Sequence, residues 1–262
     1  MNKYALAAQH SGGSIAGILR TFTQTPGFAL ELFRRRFGYF ATRSFEGTLV
    51  TPDRFLIDKP DTLIAYWSMF VERELYHPQW IQALKAESRP LVVDVGANAG
   101  VFSHYAWCAN PGVEIIAFEP LPAMHGRLKD MKERTGMDFT CHPLAVSRSV
   151  GEVLFESPSG YDGTSRISTA EKPAGKTFRV QTTTLDTILP DRPVTLMKVD
   201  VEGFECDVLA GGPRTLSKTR NLIIEAHTTE HLARITEALG KGWQRRKLGS
   251  SDHLFFRPGP PR

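Results

Sequence analysis

Three observations predict an α/β fold built on a mostly parallel sheet with helices on both faces. Four runs rich in β-branched residues, at 91–95, 113–118, 194–199 and 221–226, read as strands buried on both faces. Segments of helical periodicity separate them, and strands and helices alternating at this interval make parallel crossovers. A glycine-bearing turn, Gly96-Ala97-Asn98-Ala99-Gly100, follows the first run, at the strand end where such sheets bind ligands.

Ahead of this pattern, residues 1–88 lack a strand–helix rhythm. They are expected to form an N-terminal segment, a substrate lid or an interface, before a ligand-binding domain over 89–257. Gly12-Gly13 and Pro26-Gly27 punctuate two expected helices, and residues 45–57 read as strands about a Thr51-Pro52-Asp53 turn. From Asp61 onward, Leu63, Tyr66, Trp67, Phe70, Leu75, Trp80, Ile81 and Leu84 recur at helical spacing. That density of aromatics should pack on the following domain and shape a pocket.

Within the domain, a helix over 101–109 follows the first strand, and 113–118 is the second. Leu121, Met124, Leu128 and Met131 mark an amphipathic helix that should stop at Gly136, a natural left-handed cap. Residues 139–141 offer a short third strand. An insertion over 151–186 contains the alternating Phe178-Arg179-Val180-Gln181-Thr182. The strand at 194–199 leads to a helix over 204–209 ending at Gly211-Gly212, and 221–226 leads to a helix with Leu232, Ile235 and Leu239 on one face. Residues 243–247 and 253–256 read as a hairpin about Gly249-Ser250-Ser251-Asp252 that adds an antiparallel C-terminal strand. The tail at 257–262 is expected to fray.

The 262 residues are 41% hydrophobic and 23% charged, which matches ordinary globular chains and excludes a disordered tail, a collagen-like rod or a membrane bundle. No run approaches ~18 consecutive apolar residues, so no membrane span is expected. The start of the chain lacks the pattern of a signal peptide, and a cytoplasmic location is expected. Cys108, Cys141 and Cys206 form no CxxC pair and suggest neither a disulfide framework nor a zinc site. The net charge of +4 is mild, and the sequence pI is near 9.0. Arg34-Arg35-Arg36, among Phe33, Phe37, Tyr39 and Phe40, admits nucleic-acid or acidic-membrane contact, and equally a helix with one wet and one packed face.

The first turn narrows the ligand. A dinucleotide fingerprint places a glycine where Asn98 stands, and Asp94 precedes the turn. A carboxylate there would repel a pyrophosphate but accept hydrogen bonds from an ammonium group, while Gly96 and Gly100 let a ligand approach the backbone. Glu119, about 20 residues past the turn at the end of the second strand, suits the hydroxyls of a ribose. Ribose plus an amino-acid moiety without phosphate describes S-adenosylmethionine.

The series Val93-Asp94-Val95-Gly96-Ala97-Asn98-Ala99-Gly100, Phe118-Glu119-Pro120, Leu144-Ala145-Val146-Ser147, Thr184-Leu185-Asp186, Lys198-Val199-Asp200-Val201-Glu202-Gly203-Phe204-Glu205 and Ile224-Glu225-Ala226-His227 resembles the successive motifs of the FkbM family of S-adenosylmethionine-dependent methyltransferases. The resemblance covers roughly residues 90–227. It implies a Rossmann-like class I methyltransferase core that methylates hydroxyls of natural products or sugars. It also implies a cofactor set of Asp94, Gly96, Ala97, Asn98, Gly100, Phe102, Ser103, Glu119, Pro120 and Asp200, with Ala145 and Val146 near the adenine.

Methyl transfer from a sulfonium needs an aligned and deprotonated acceptor, hence a general base or a metal ion. Asp200 and Glu202 lie two apart at the fourth strand's end, as do Glu225 and His227 at the fifth, so these groups should converge. His227 is the preferred base, with Asp200 and Glu202 orienting the acceptor. The same three are candidate ligands for a divalent metal. Structural roles compete: Glu202 at a helix start, His227 at a helix entry. His77, His104, His125, His142 and His253 follow no ligand spacing. The insertion loop Gly160-Tyr161-Asp162-Gly163-Thr164-Ser165 can bring Tyr161, Ser165 or Arg166 to a substrate, or simply face solvent. The expected partner is a small molecule or saccharide, with homo-oligomerisation open. A nucleic-acid methyltransferase is the first alternative, disfavoured because Asp200-Val201-Glu202-Gly203 lacks the proline and aromatic that hold a base. A catalytically silent cofactor-binding partner is the second.

Overall fold

Short extended runs at Leu49–Val50 (β1) and Leu56–Ile57 (β2) pair antiparallel, with Leu49 opposite Ile57. The Thr51 hydroxyl closes their turn by accepting from the Phe55 N–H at 2.9 Å. The computed structural model describes residues 49–51, 54–57, 59–137, 139–157, 166–167 and 176–258. The expected helices near Gly12 and Pro26, the Arg34-Arg35-Arg36 cluster and the loop bearing Tyr161 and Ser165 lie outside the described residues.

Helix α1 (Pro60–Tyr66) starts with proline in its first turn and runs into a π-helical stretch, Trp67–Glu72. The helical spacing read from Leu63 to Phe70 is therefore present, but it ends at Arg73, whose φ of 60° is left-handed. A π turn widens the helix by one residue, and this one exits through that strained position. The Arg73 guanidinium rests 3.6 Å from the centre of the Tyr76 ring. Helix α2 (Pro78–Ala86) then restarts, its first turn capped by His77 Nδ1, which accepts from the Gln79 N–H at 3.2 Å. Leu63, Trp80 and Leu84 are buried in the same core as Val92, Phe102, Tyr105 and Ile115. At ~1.5–3 kcal/mol for each large apolar side chain withdrawn from water, this part of the N-terminal segment is integral to the fold.

The strands follow the reading closely. They are β3 (Leu91–Val95), β4 (Glu114–Phe118), β5 (Phe139–His142), β10 (Leu196–Val199) and β11 (Asn221–Glu225), all parallel. Their alternate side chains feed two cores: Val92, Ile115 and Ile223 on one face, Val93, Ile116 and Met197 on the other. Two-sided burial is why the runs are continuously apolar. Between them come α3 (Val101–Ala109), α4 (Pro122–Thr135), α6 (Glu205–Ala210) and α7 (Pro213–Ser217), with α8 (Thr229–Leu239) after β11. Helix α4 stops at Gly136, φ 74°, as its sequence predicts.

The C-terminal hairpin, β12 (Gln244–Lys247) and β13 (Asp252–Phe256), joins the sheet antiparallel through β13 on β11. The seven-stranded order is β12-β13-β11-β10-β3-β4-β5. The chain therefore leaves β3 in one direction and returns on its other side, which puts the topological switch between β3 and β10.

The insertion builds a second sheet. Its strands β7 (Gly151–Ser157), β8 (Arg166–Ile167) and β9 (Lys176–Thr183) pair with the short β6 (Ala145–Val146) in the order β6-β9-β7-β8. A single turn, α5 (Leu185–Ile188), returns the chain toward β10. Among the described residues, no helix is long and apolar enough to cross a membrane.

Candidate active site

The turn after β3 sits at the switch. Gly96 has φ 82°, and a Cβ there would fall 1.9 Å from the Asp200 carbonyl oxygen, so only glycine lets the ends of β3 and β10 approach. Gly100, φ 80°, begins α3; its missing Cβ makes room for Leu128 and Met131 of α4. Gly100 thus serves helix packing against α4.

Two carboxylates frame the turn. Asp94 is fully buried, and its Oδ2 accepts from the Ser103 hydroxyl at 2.7 Å. Its Oδ1 has no hydrogen-bond partner among the described residues. Burial pushes its carboxyl above the usual range, against the opposing effects of Lys198 and Ser103. Ser103 therefore acts through Asp94, while Phe102 and Ala97 border the chamber that Asp94 faces. Glu119 lies at the end of β4. One of its oxygens accepts the Asn98 N–H at 2.8 Å and the other the Leu121 N–H at 2.9 Å.

An open crevice of about 710 Å³, mouth included, runs past Gly96, Asn98, Glu119, Pro120, Ala145 and Val146 to Asp200 and Glu202. A second chamber of about 460 Å³ meets it at Gly96, Asn98 and Asp200, and there α1 contributes Asp61 and Thr62. The residues fit an S-adenosyl group: Gly96 opening the backbone of the turn, an orphaned buried carboxylate oxygen of Asp94 for an ammonium, and the Glu119 carboxylate beside Asn98 for ribose hydroxyls.

The acidic strand ends converge as expected, with one change of partner. Asp200, Glu202 and Glu225 each bring a carboxylate oxygen within 4.8 Å of the others. Glu225, rather than His227, completes this potential metal cluster. His227 is 49% exposed; its Nε2 lies 3.2 Å from Glu225 and 3.9 Å from Glu202. Glu202 takes a left-handed φ of 54°. Burial and the neighbouring Asp200 charge raise the Glu225 carboxyl far above its ordinary range, and the two carboxyls hydrogen-bond each other. Burial acts on Asp200 too, but Lys198 and Glu225 outweigh it and hold Asp200 low. Glu225 therefore keeps the shared proton.

Lys198 and Glu205 have roles the sequence reading did not assign. Lys198 Nζ, buried, pairs with Asp200 Oδ2 at 2.6 Å. Burial opposes its charge, yet Asp200, Asp94 and Asp252 raise its pKa above the ordinary lysine value. The signal was available: a lysine inside an otherwise apolar buried strand. Glu205, also buried, accepts the Val201 and Gly203 N–H groups at 3.1 and 3.2 Å and so holds the Asp200–Glu202 loop. Other motif residues are joints. Thr184 caps α5, and Asp186 accepts the Arg214 and Thr215 N–H groups at the start of α7. His77 and His104 lie in the N-terminal core, away from this cluster.

The sheet order, the glycine turn at the switch and the acidic strand ends define a Rossmann-like methyltransferase domain. Residues 94–247 match the family described as Methyltransferase FkbM domain, and the chain belongs to that family. Hexuronic acid methyltransferase AglP of Haloferax volcanii is 30% identical over 161 residues, covering 60% of this chain and 64% of its own. The chain thus spans less than two thirds of that relative's length. 31-O-demethyl-FK506 methyltransferase FkbM of Streptomyces tacrolimicus is 25% identical over 222 residues, covering 72% of this chain and 85% of its own. Among solved structures, a precorrin-6y C5,15-methyltransferase from Geobacter metallireducens superposes with a TM-score of 0.42 at 14% identity, over 68% of this chain and 86% of that one.

Proposed function

We propose that this chain is an S-adenosylmethionine-dependent O-methyltransferase acting on a hydroxyl of a small-molecule natural product or sugar. The observation that carries the proposal is that Asp200 and Glu202 line the glycine-turn crevice while Glu225 and His227 stand beside them. When bound, S-adenosylmethionine supplies a methyl group already activated on a sulfonium. The chain's own residues then have two tasks, alignment and proton removal. His227, half-exposed, takes the acceptor's proton. Glu225, 3.2 Å from its Nε2, orients the ring, and the Glu202 carboxylate stabilises the cation formed. Asp200, held ionised by Lys198, and Glu202 orient the acceptor beside that base.

The two relatives support the acceptor class by name, one a hexuronic acid methyltransferase and the other a 31-O-demethyl-FK506 methyltransferase. The acidic rim itself would repel a nucleic-acid backbone. Asp200, Glu202 and Glu225 offer hard oxygen donors that fit a divalent cation, which would polarise the same hydroxyl.

The test is transfer of labelled methyl from S-adenosylmethionine to a panel of sugars, uronic acids, hydroxylated natural products, DNA and RNA, with and without a chelator. Label is expected in a hydroxylated small molecule. Label entering only DNA or RNA would overturn the assignment.

A further inference from the structure

The crevice has one wall from outside the seven-stranded sheet. On β7, Val153 and Phe155 share a face with their register partners Val180 and Phe178 on β9. With Leu121, Met124 and Ala145 they form a separate apolar cluster. The Phe155 and Phe178 rings lie 6.1 Å apart with planes inclined by 30°. Phe155 is 9% exposed and borders the crevice, whereas Phe178 does not line it. Ala145 and Val146, the β6 residues at the same end, pair with Thr182 and Thr183 of β9. The insertion therefore both supplies Phe155 and holds β6 in place.

Asp200 and Glu202 give the crevice acidic lining after β10, and Glu119 does so at the end of β4. Pro120, Leu121, Ala145, Val146 and Phe155 give it apolar lining after β4 and from β6 and β7, and Val201 and Phe204 add to it after β10. With a ribose at Glu119 and an amino-acid moiety toward Asp94, this apolar lining is what remains for a nucleoside base. A base has flat apolar faces, and an aromatic ring or aliphatic wall is what such faces pack against.

We propose that Phe155 is a wall of the purine pocket, so that the inserted sheet is part of the cofactor site and sets nucleoside affinity. This rests on the S-adenosylmethionine assignment above. Two roles compete for Phe155: a filler of the small apolar cluster, like Phe178, or a ligand-contacting wall. The same substitution at both positions separates them.

The experiment is calorimetric titration of the full chain with S-adenosylhomocysteine and with adenosine, for wild type, Phe155→Leu and Phe178→Leu, alongside thermal melts. Losing a base–aromatic contact is expected to weaken both ligands about tenfold in Phe155→Leu, while Phe178→Leu stays within about twofold of wild type. Wild-type binding with Phe155→Leu unaffected, or with both variants weakened alike, overturns the proposal. No binding by wild type overturns the cofactor assignment instead, and the proposal with it. If the leucine variant does not fold, Phe155→Met takes its place with the same expected loss.

Discussion

The Asn98 N–H donates to the Glu119 carboxylate across 2.8 Å, joining the turn after β3 to the end of β4. Asn98 holds a left-handed φ of 49° there. The same carboxylate accepts the Leu121 N–H through its other oxygen. Glu119 therefore shapes the crevice as well as lining it, and loss of its side chain should be felt in two measurements at once.

Glu119→Ala should weaken S-adenosylhomocysteine binding by roughly 1.5–3 kcal/mol, because a charged hydrogen-bond acceptor is lost. It should also lower unfolding free energy by about 1–3 kcal/mol, since two N–H groups lose their partner. Calorimetry and urea unfolding check the two figures separately. Unchanged binding would show that Glu119 only organises the turn.

Asp94→Asn should move binding and stability in opposite directions. The amide can still accept from Ser103, but it cannot offer a charged oxygen to an ammonium, so affinity should fall about tenfold or more. The native pKa of Asp94 is raised, so its ionisation opposes folding. That contribution is favourable below the unfolded carboxylate pKa and is lost as pH rises through the folded one. The Asp94→Asn variant should therefore match or exceed the wild-type melting temperature at pH 8. A marked fall in stability there would mean that Asp94 is chiefly structural.

Lys198→Met should destabilise the fold, since it leaves Asp94, Asp200 and Asp252 around an uncompensated site. Asp200 is 34% exposed, so the loss belongs at the lower end of the ~3–5 kcal/mol for breaking a buried pair. Lys198 holds the native Asp200 pKa low, and that stabilisation is present above the unfolded pKa and lost as pH falls through the folded one. The variant's deficit in urea unfolding should accordingly be larger at pH 8 than at about pH 2.5, below the unfolded carboxylate pKa of about 3.9. An equal deficit at both would assign Lys198 a packing role only.

Much of this fold was legible because local patterns and tertiary demands agree. The continuous apolar run Leu91–Val95 needed two buried faces and has them. Gly136 stops α4, and the Gly249-Ser250-Ser251-Asp252 turn sits between paired strands. What the sequence did not carry was register between distant strands. The convergence of Asp200, Glu202, Glu225 and His227 was read from the strand ends, but the carboxyl pair Glu225–Asp200 depends on β11 lying beside β10, which spacing along either strand does not give. The alternation at Phe178 and Val180 marked a half-buried strand, but not that it would pair with β6 and bring Phe155 to the crevice. Arg73 carried no breaker signal; a positive φ at arginine follows from the π turn before it. The short helix α7 has its own mark, Pro213 in the first turn, overlooked behind Gly211-Gly212.

His227→Ala should reduce methyl transfer on the order of 10²–10⁴-fold with an acceptor found in the labelling screen, while leaving cofactor affinity within about twofold. The half-exposed imidazole pairs with Glu225 and approaches Glu202, which borders the crevice, and it is not itself among the residues that line the nucleoside site. Turnover within about twofold of wild type, a barrier change below ~0.5 kcal/mol, would remove His227 as the base and leave alignment or a metal ion to do its work.

The central claim is that the crevice between Gly96 and Glu119 holds an S-adenosyl ligand. Calorimetric titration of the full chain with S-adenosylmethionine tests it most directly. A saturable one-to-one isotherm in the micromolar range, weakened in Asp94→Asn and Glu119→Ala, is the predicted result. Absence of binding up to millimolar ligand, or wild-type affinity in both variants, would contradict it.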